Sequence, residues 1–179
     1  KLLKLMHRIK LVFACALALL IAACGSVAPR SEAPRGTIAH VDRPISAQAN
    51  EVVIYAMGLI DTGYRFGGKN PEAGLDCSGM VSYVFDRAVG LKVNGSAADI
   101  ARQSRPIPRE AIKPGDLVFF NTRNMPFSHV GIYIGDGQFI HAPRRGSSVR
   151  IEDMRTAYWN QRFNGARRVP LSDPVKVGY

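Results

Sequence analysis

The spacing of apolar residues changes character three times along the chain. Leu11 to Ala23, LVFACALALLIAA, is a run of thirteen uncharged and mostly apolar residues behind a basic start. It is too short for a comfortable membrane span and has the length of a signal-peptide core. From Gly25 to about Ala47 no period is present, and prolines with few large apolar residues predict a flexible tether. From Ser46, SAQANEVVIYAMGLID brings Val52, Val53, Ala56, Leu59 and Ile60 to one face. That spacing predicts an amphipathic helix, closed by Asp61-Thr62-Gly63. A glycine-rich loop, TGYRFGGKNPEAGLD, separates it from a second helix that begins at Cys77. This helix carries Met80, Val81, Val84, Phe85 and Val89 on its apolar side and stops at Gly90. Ser96 to Gln103 predicts a short third helix with Ser96 as its N-cap.

After Pro114-Gly115-Asp116 the pattern becomes that of strands. LVFFN (117–121), HVGIYIG (129–135), QFIHA (138–142) and SVRIE (148–152) are rich in β-branched and aromatic residues and separated by turn formers. Residues 154–163 predict a last short helix. Helices followed by an antiparallel sheet make an α+β domain over residues 47–170, with 171–179 as a tail.

Small residues precede Cys24 in Ile21-Ala22-Ala23-Cys24-Gly25, a stretch that resembles the lipobox of bacterial lipoproteins. The resemblance implies a signal peptide over 1–23, a lipidated Cys24 and a tether over 24–46. Gly25, in place of Asp, implies the outer membrane. Acyl chains hold a protein to a bilayer by burying methylenes, each worth about 0.8 kcal/mol.

The formal charge is +10, but Lys1, Lys4, Arg8 and Lys10 lie in the signal; without it, 20 basic and 14 acidic residues give +6 over 156 residues. Such a moderate excess suits nucleic acid, anionic lipid or an acidic polymer alike, and chooses none of them. Cysteine is more informative. Cys15 leaves with the signal and Cys24 takes lipid, so Cys77 is the one free thiol of the mature domain. A single unpaired thiol adds no cross-link to an exported protein. Of four histidines, His7 lies in the signal and His40 in the tether, which leaves His129 and His141 in the domain.

These three side chains can form one site. The first turn of the Cys77 helix presents unpaired N–H groups and a partial positive charge. Asp76 is a favourable N-cap, and a thiol in this place is expected as thiolate, with the same N–H groups available to an oxyanion. On strand 129–135, His129, Gly131, Tyr133 and Gly135 share a face that can make an open groove floor; Val130, Ile132 and Ile134 face the core. A three-residue hairpin loop, Gly135-Asp136-Gly137, puts Gly131 opposite His141 and both histidines on one face. His141 then orients His129 by a hydrogen bond to its far nitrogen. A buried inert cysteine is the bland alternative. Zinc bound by the same trio lacks a C-x-x-C or H-x-x-x-H spacing and a fourth ligand, so no metal and no cofactor is expected.

Five ordered motifs extend this reading: Tyr64-Arg65-Phe66-Gly67-Gly68, Leu75-Asp76-Cys77-Ser78-Gly79, Pro114 to Phe120, His129 to Gly135, and Phe139-Ile140-His141-Ala142. Together they resemble the NlpC family of bacterial cell-wall cysteine peptidases, over roughly Ala47 to Val169. The tail Tyr158 to Val169 is similar to the family's murein endopeptidase lipoproteins. The resemblance implies a papain-like fold, Cys77 as nucleophile, His129 as base and His141 as orienting residue. It also implies that Tyr64 contacts substrate or oxyanion, beside Asp76 and Ser78; loop packing and helix capping are their structural alternatives. Asn94-Gly95-Ser96 departs from relatives that carry an arginine before the serine.

The function implied is hydrolysis of amide bonds in murein stem peptides or cross-links, by a monomer that binds peptidoglycan and no nucleic acid. A non-catalytic cell-wall binding lipoprotein is a rival, as is an acyltransferase or amidase acting on another substrate. Both cross-link (D-alanyl to diaminopimelate) and stem (D-glutamyl to diaminopimelate) bonds stay open, with the tail similarity favouring the cross-link. Arg144 and Arg145 are candidate substrate contacts, with solvated loop charge as the favoured reading.

Overall fold

Ser46 accepts the Ala49 N–H at 3.1 Å and starts helix α1, Ala47–Met57. A computed structural model describes residues 46–171. The expected signal peptide, the lipidated Cys24, the tether as far as residue 45 and the tail from 172 lie outside the described residues. α1 buries Ala49, Val52 and Ala56, as its period requires. It ends earlier than the sequence suggests. Gly58 caps it, and Asp61, in the left-handed region at φ 70°, sends its N–H to Val149 O at 3.0 Å. Residues 58–63 thus carry the chain onto the sheet and do not extend the helix.

The glycine-rich loop contains a small hairpin, β1 (Lys69–Asn70) with β2 (Gly74–Leu75). Helix α2 (Cys77–Val89) follows, capped by Asp76 and stopped by Gly90 in the left-handed conformation. Helix α3 (Ala97–Gln103) opens with a capping box between Ser96 and Asp99. The remaining chain forms β3 (Arg105–Ile107), β4 (Leu117–Phe120), β5 (His129–Gly135), β6 (Gln138–His141), β7 (Arg150–Asp153), α4 (Ala157–Arg162) and β8 (Phe163–Arg168). Six strands make one antiparallel sheet in the order β3-β8-β4-β5-β6-β7.

β4 is buried at all four positions because both sheet faces are covered. Leu117 and Phe119 join Val130, Ile132 and Ile140 against the three helices. Val118 and Phe120 join Phe139, Met154, Trp159 and Ala166 in a second cluster on the opposite face. That second face was expected to be an open groove floor. Instead, a Cβ added to Gly131 would lie 2.6 Å from Phe139 Cδ2 and 3.3 Å from His141 Cβ, so aromatic rings cover the position.

Two strands of the sheet, β3 and β8, escape the hydrophobic pattern. FNGARR of β8 has almost no alternation, yet it lies between β3 and β4. Its pairing is reinforced by polar side chains. Arg168 Nε and Nη2 donate to Asp116 Oδ1 and Oδ2 at 2.6 and 2.7 Å, and Arg167 Nη1 donates to Ser104 O at 3.2 Å. The predicted helix over 154–163 therefore gives way to a turn, a six-residue α4 and the start of β8.

Close backbone contact sets where α2 begins. An added Cβ at Gly79 would lie 1.9 Å from Gly68 O, and one at Gly68 would lie 2.2 Å from Gly74 O. The loop is thus pressed against the first turn of α2 with no room for a methyl group. Gly79→Ala gains about 1 kcal/mol of helix propensity, but must displace a backbone carbonyl. A net loss of about 1–3 kcal/mol is expected, read as a lower denaturant midpoint; an unchanged midpoint would refute the contact.

Candidate active site

The site is assembled where the tip of α2 meets the start of β5. Asp76 does more than cap. Its Oδ1 accepts the Gly79 N–H at 2.7 Å and the Ser78 hydroxyl at 3.0 Å, while Oδ2 accepts the Gly67 N–H at 2.8 Å. One carboxylate therefore clamps the loop to the helix and fixes Cys77 between them. Ser78 spends its hydroxyl proton on this clamp. Cys77 is half-buried and unpaired, and the nearby backbone N–H groups of Val130 and Ser78 favour its charged form. The thiol thus lies against the residue that follows His129.

The β5–β6 register brings the histidines together. Ile132 opposes Ile140 and Tyr133 opposes Phe139, so Gly131 comes opposite His141, the register expected. The turn differs from the expectation. Gly135 opposes Gln138, leaving Asp136-Gly137 as a two-residue turn with φ 49° and 74°. The odd residue is taken up by a bulge between Tyr133 and Gly135. That bulge returns both histidines to one face. His129 Nε2 and His141 Nδ1 are 2.7 Å apart, with the rings nearly perpendicular at 88°. Trp159 of α4 closes this pair off, its ring 5.7 Å from His129 and 5.0 Å from His141.

Burial dominates the electrostatics. Desolvation, followed by the Asp76 carboxylate, pushes the Cys77 thiol up to about 11, against the Val130 and Ser78 N–H groups. Burial, aided by His141 and Arg123, takes His129 down to about 3. His141 is also lowered by burial, which the Glu152 carboxylate opposes. Burial thus favours the neutral thiol and the neutral imidazole, and works against the standing thiolate expected from the helix tip alone.

A groove of about 670 Å³ opens over His129, lined among others by Tyr64, Phe66, Arg123, Arg144, Arg145 and Tyr158. Burial raises the Tyr64 hydroxyl, and the Cys77 sulfur acts in the same direction, so the phenol stays protonated beside the thiol. The Arg123 guanidinium opposes this rise and lies 5.8 Å from the Phe66 ring centroid. Of the residues singled out in the sequence, Tyr64 and His129 line the groove, His141 is bonded behind His129, and Cys77 lies near Tyr64 and Val130 outside the groove lining. Asp76 and Ser78 hold the helix tip. Sequence reading missed Arg123, Trp159 and Glu152. Glu152 lies 3.7 Å from His141 and accepts the Trp159 indole N–H. Its signal was present in Arg150-Ile151-Glu152, where two charges alternate with one apolar residue on the strand next to His141.

Residues 61–168 match the model of the NlpC/P60 family. The chain is 38% identical to murein DD-endopeptidase MepH of Escherichia coli (strain K12) over 141 residues, 76% of this chain and 52% of that protein. It is 39% identical to a gamma-DL-glutamyl hydrolase of Bacillus subtilis (strain 168), over 69% of this chain and 31% of that one. The chain thus spans about half or less of the length of these curated relatives. The crystal structure of the NlpC/p60 domain of the peptidoglycan hydrolase SagA superposes with a TM-score of 0.59 at 32% identity, covering 66% of this chain and 97% of that one. Helices packed on an antiparallel sheet, an ordered set of motifs around Cys77 and His129, and these similarities agree: the chain belongs to the NlpC/P60 family and has its papain-like α+β fold.

Proposed function

We propose that this chain is a peptidoglycan hydrolase that cleaves an amide bond through Cys77, His129 and His141. One observation carries the reading: the Cys77 sulfur lies by the backbone N–H of Val130, the residue after His129, and the far nitrogen of His129 is bonded to a second histidine. Since Nε2 of His129 is engaged, Nδ1 is left to take a proton. As sulfur attacks the carbonyl carbon, the thiol proton passes to His129 Nδ1 and the carbonyl π electrons move to oxygen. The new oxyanion is met by the Cys77 backbone N–H at the α2 tip and by the Tyr64 hydroxyl. Collapse breaks the C–N bond, and His129 protonates the leaving amine. Water then attacks the thioester, His129 takes its proton, and the acid leaves as the thiol re-forms. Thiol and imidazole charge together in this scheme, each offsetting the other's desolvation.

The groove fits an acidic peptide. Arg123, Arg144 and Arg145 line it with no carboxylate partner among the described residues, while its acid, Glu152, is paired with Arg150. Murein stem peptides carry free carboxylates, so Arg144 and Arg145 pass from solvated loop charge to substrate contacts in this reading. The similarity to a murein DD-endopeptidase over the larger share of the chain supports the D-alanyl to diaminopimelate cross-link as the bond cut. A lipid at Cys24, placing a monomer at the periplasmic face of the outer membrane, completes the proposal and rests on the lipobox-like sequence alone.

Cys77→Ala should abolish release of peptide fragments from purified cell wall, followed by mass analysis, while circular dichroism and the unfolding midpoint stay unchanged. Turnover surviving in that variant removes the mechanism. With the thiol at about 11, alkylation of the substrate-free enzyme by a small neutral reagent should quicken in proportion to hydroxide concentration from neutral pH upward. A rate already level at neutral pH would show a standing thiolate instead. Replacing Arg144 and Arg145 together by Ala should raise KM for a muropeptide with free carboxylates about 5-fold, the scale of one exposed charge pair. kcat should stay near wild type; no change in KM would return both residues to the role of loop charges.

A further inference from the structure

Three neighbouring strands place a diagonal row of polar side chains on one sheet face. His129 is on β5 and His141 is diagonal to it on β6. On β7, Arg150 opposes His141 and Glu152 opposes Phe139, so Glu152 is the next diagonal neighbour of His141. His129 and His141 are buried under Trp159, and Glu152 is half-buried beside them. His141 is fully buried, and its Nε2 makes no hydrogen bond among the described residues. The group facing that nitrogen is Glu152 Oε1 at 3.7 Å.

Glu152 is itself held from two other sides. The Trp159 indole N–H donates to Oε2, and Arg150 Nε donates to Oε1 at 2.5 Å. The His141 ring first, then the indole and Arg150, bring its carboxyl down to about 2, so it is anionic wherever the protein is folded near neutral pH. It also favours the charged form of His129, against Arg123 and His141.

Proton bookkeeping gives this arrangement a consequence. For His129 to accept the thiol proton at Nδ1, its Nε2 must carry hydrogen and donate to His141 Nδ1. His141 Nδ1 must then be the bare nitrogen, which puts the His141 proton on Nε2. A buried N–H at Nε2 needs an acceptor, and the carboxylate of Glu152 is the acceptor within reach. We propose that Glu152 is a positioning residue that selects the working tautomer of both histidines and supports the imidazolium formed on His129 during attack. Arg150 and Trp159 keep its carboxylate aimed at His141. Its part in turnover rests on the hydrolase reading above, while its part in choosing tautomers does not depend on any substrate.

Glu152→Gln keeps the shape and an acceptor for the indole but removes the charge. In nitrogen-15 spectra of the full chain, wild-type His141 should show hydrogen on Nε2 and a bare Nδ1. In Glu152→Gln this preference should weaken in both rings, with the unfolding midpoint preserved. On a muropeptide substrate kcat should fall about 10- to 100-fold, the usual scale for removing a partner that orients a functional histidine, with KM little changed. Glu152→Asp should recover part of the kcat and of the tautomer preference. Wild-type spectra with hydrogen on His141 Nδ1, or identical spectra and kcat in Glu152→Gln, would overturn the proposal. If the wild type cuts no murein bond at all, the substrate reading fails while the spectra still decide the role of Glu152.

Discussion

The hydrogen bond between two buried imidazoles constrains everything around it. At 2.7 Å, His129 Nε2 and His141 Nδ1 cannot both be donors or both be bare. One proton position therefore dictates the other, and in the proposed mechanism this dependence extends to the Cys77 sulfur on one side and the Glu152 carboxylate on the other. The bond exists because a bulge near the β5–β6 turn restores the register that a two-residue turn alone would have shifted. A slip of one residue would send His141 to the helix side of the sheet. Strand register is in this sense a chemical feature of the site as much as a feature of the fold.

The other half of the site depends on backbone crowding. Gly68, Gly74 and Gly79 let the loop and the helix approach to a distance that side chains would forbid. Asp76 converts that approach into a fixed geometry by accepting hydrogen bonds from both. The cost is electrostatic, since a carboxylate beside a desolvated thiol opposes thiolate formation. His129, equally desolvated, is a weak base until the thiol proton arrives. In the proposed mechanism such a site holds its charge separation back for the moment of attack, when substrate and N–H donors can share it.

Much of this could be read from the residues. Asp76 and Ser96 marked two helix starts by their capping chemistry, and Gly90 marked an end. The alternation in HVGIYIG and QFIHA was enough to place both histidines on one face, although the device achieving it was a bulge and not a longer loop. β8 was illegible because its stability comes from Arg167 and Arg168 bonding across the sheet, a long-range effect that leaves no hydrophobic period. The expected open floor beside His129 failed for a similar reason. Trp159, eighteen or more residues from either histidine along the chain, folds back over them. Glu152 looked like the polar face of an edge strand, and only the β6–β7 register turned it towards His141.

In the proposed mechanism the Cys77 sulfur becomes covalently joined to a murein acyl group during turnover. Intact-protein mass spectrometry on enzyme quenched in acid during steady-state hydrolysis of a defined cross-linked muropeptide detects that adduct. An added mass equal to the acyl half of the substrate is expected, localised to the peptide containing Cys77 and released by hydroxylamine. Steady hydrolysis of that substrate by enzyme whose Cys77 is fully blocked by alkylation, with no acyl adduct at any time point, would contradict it.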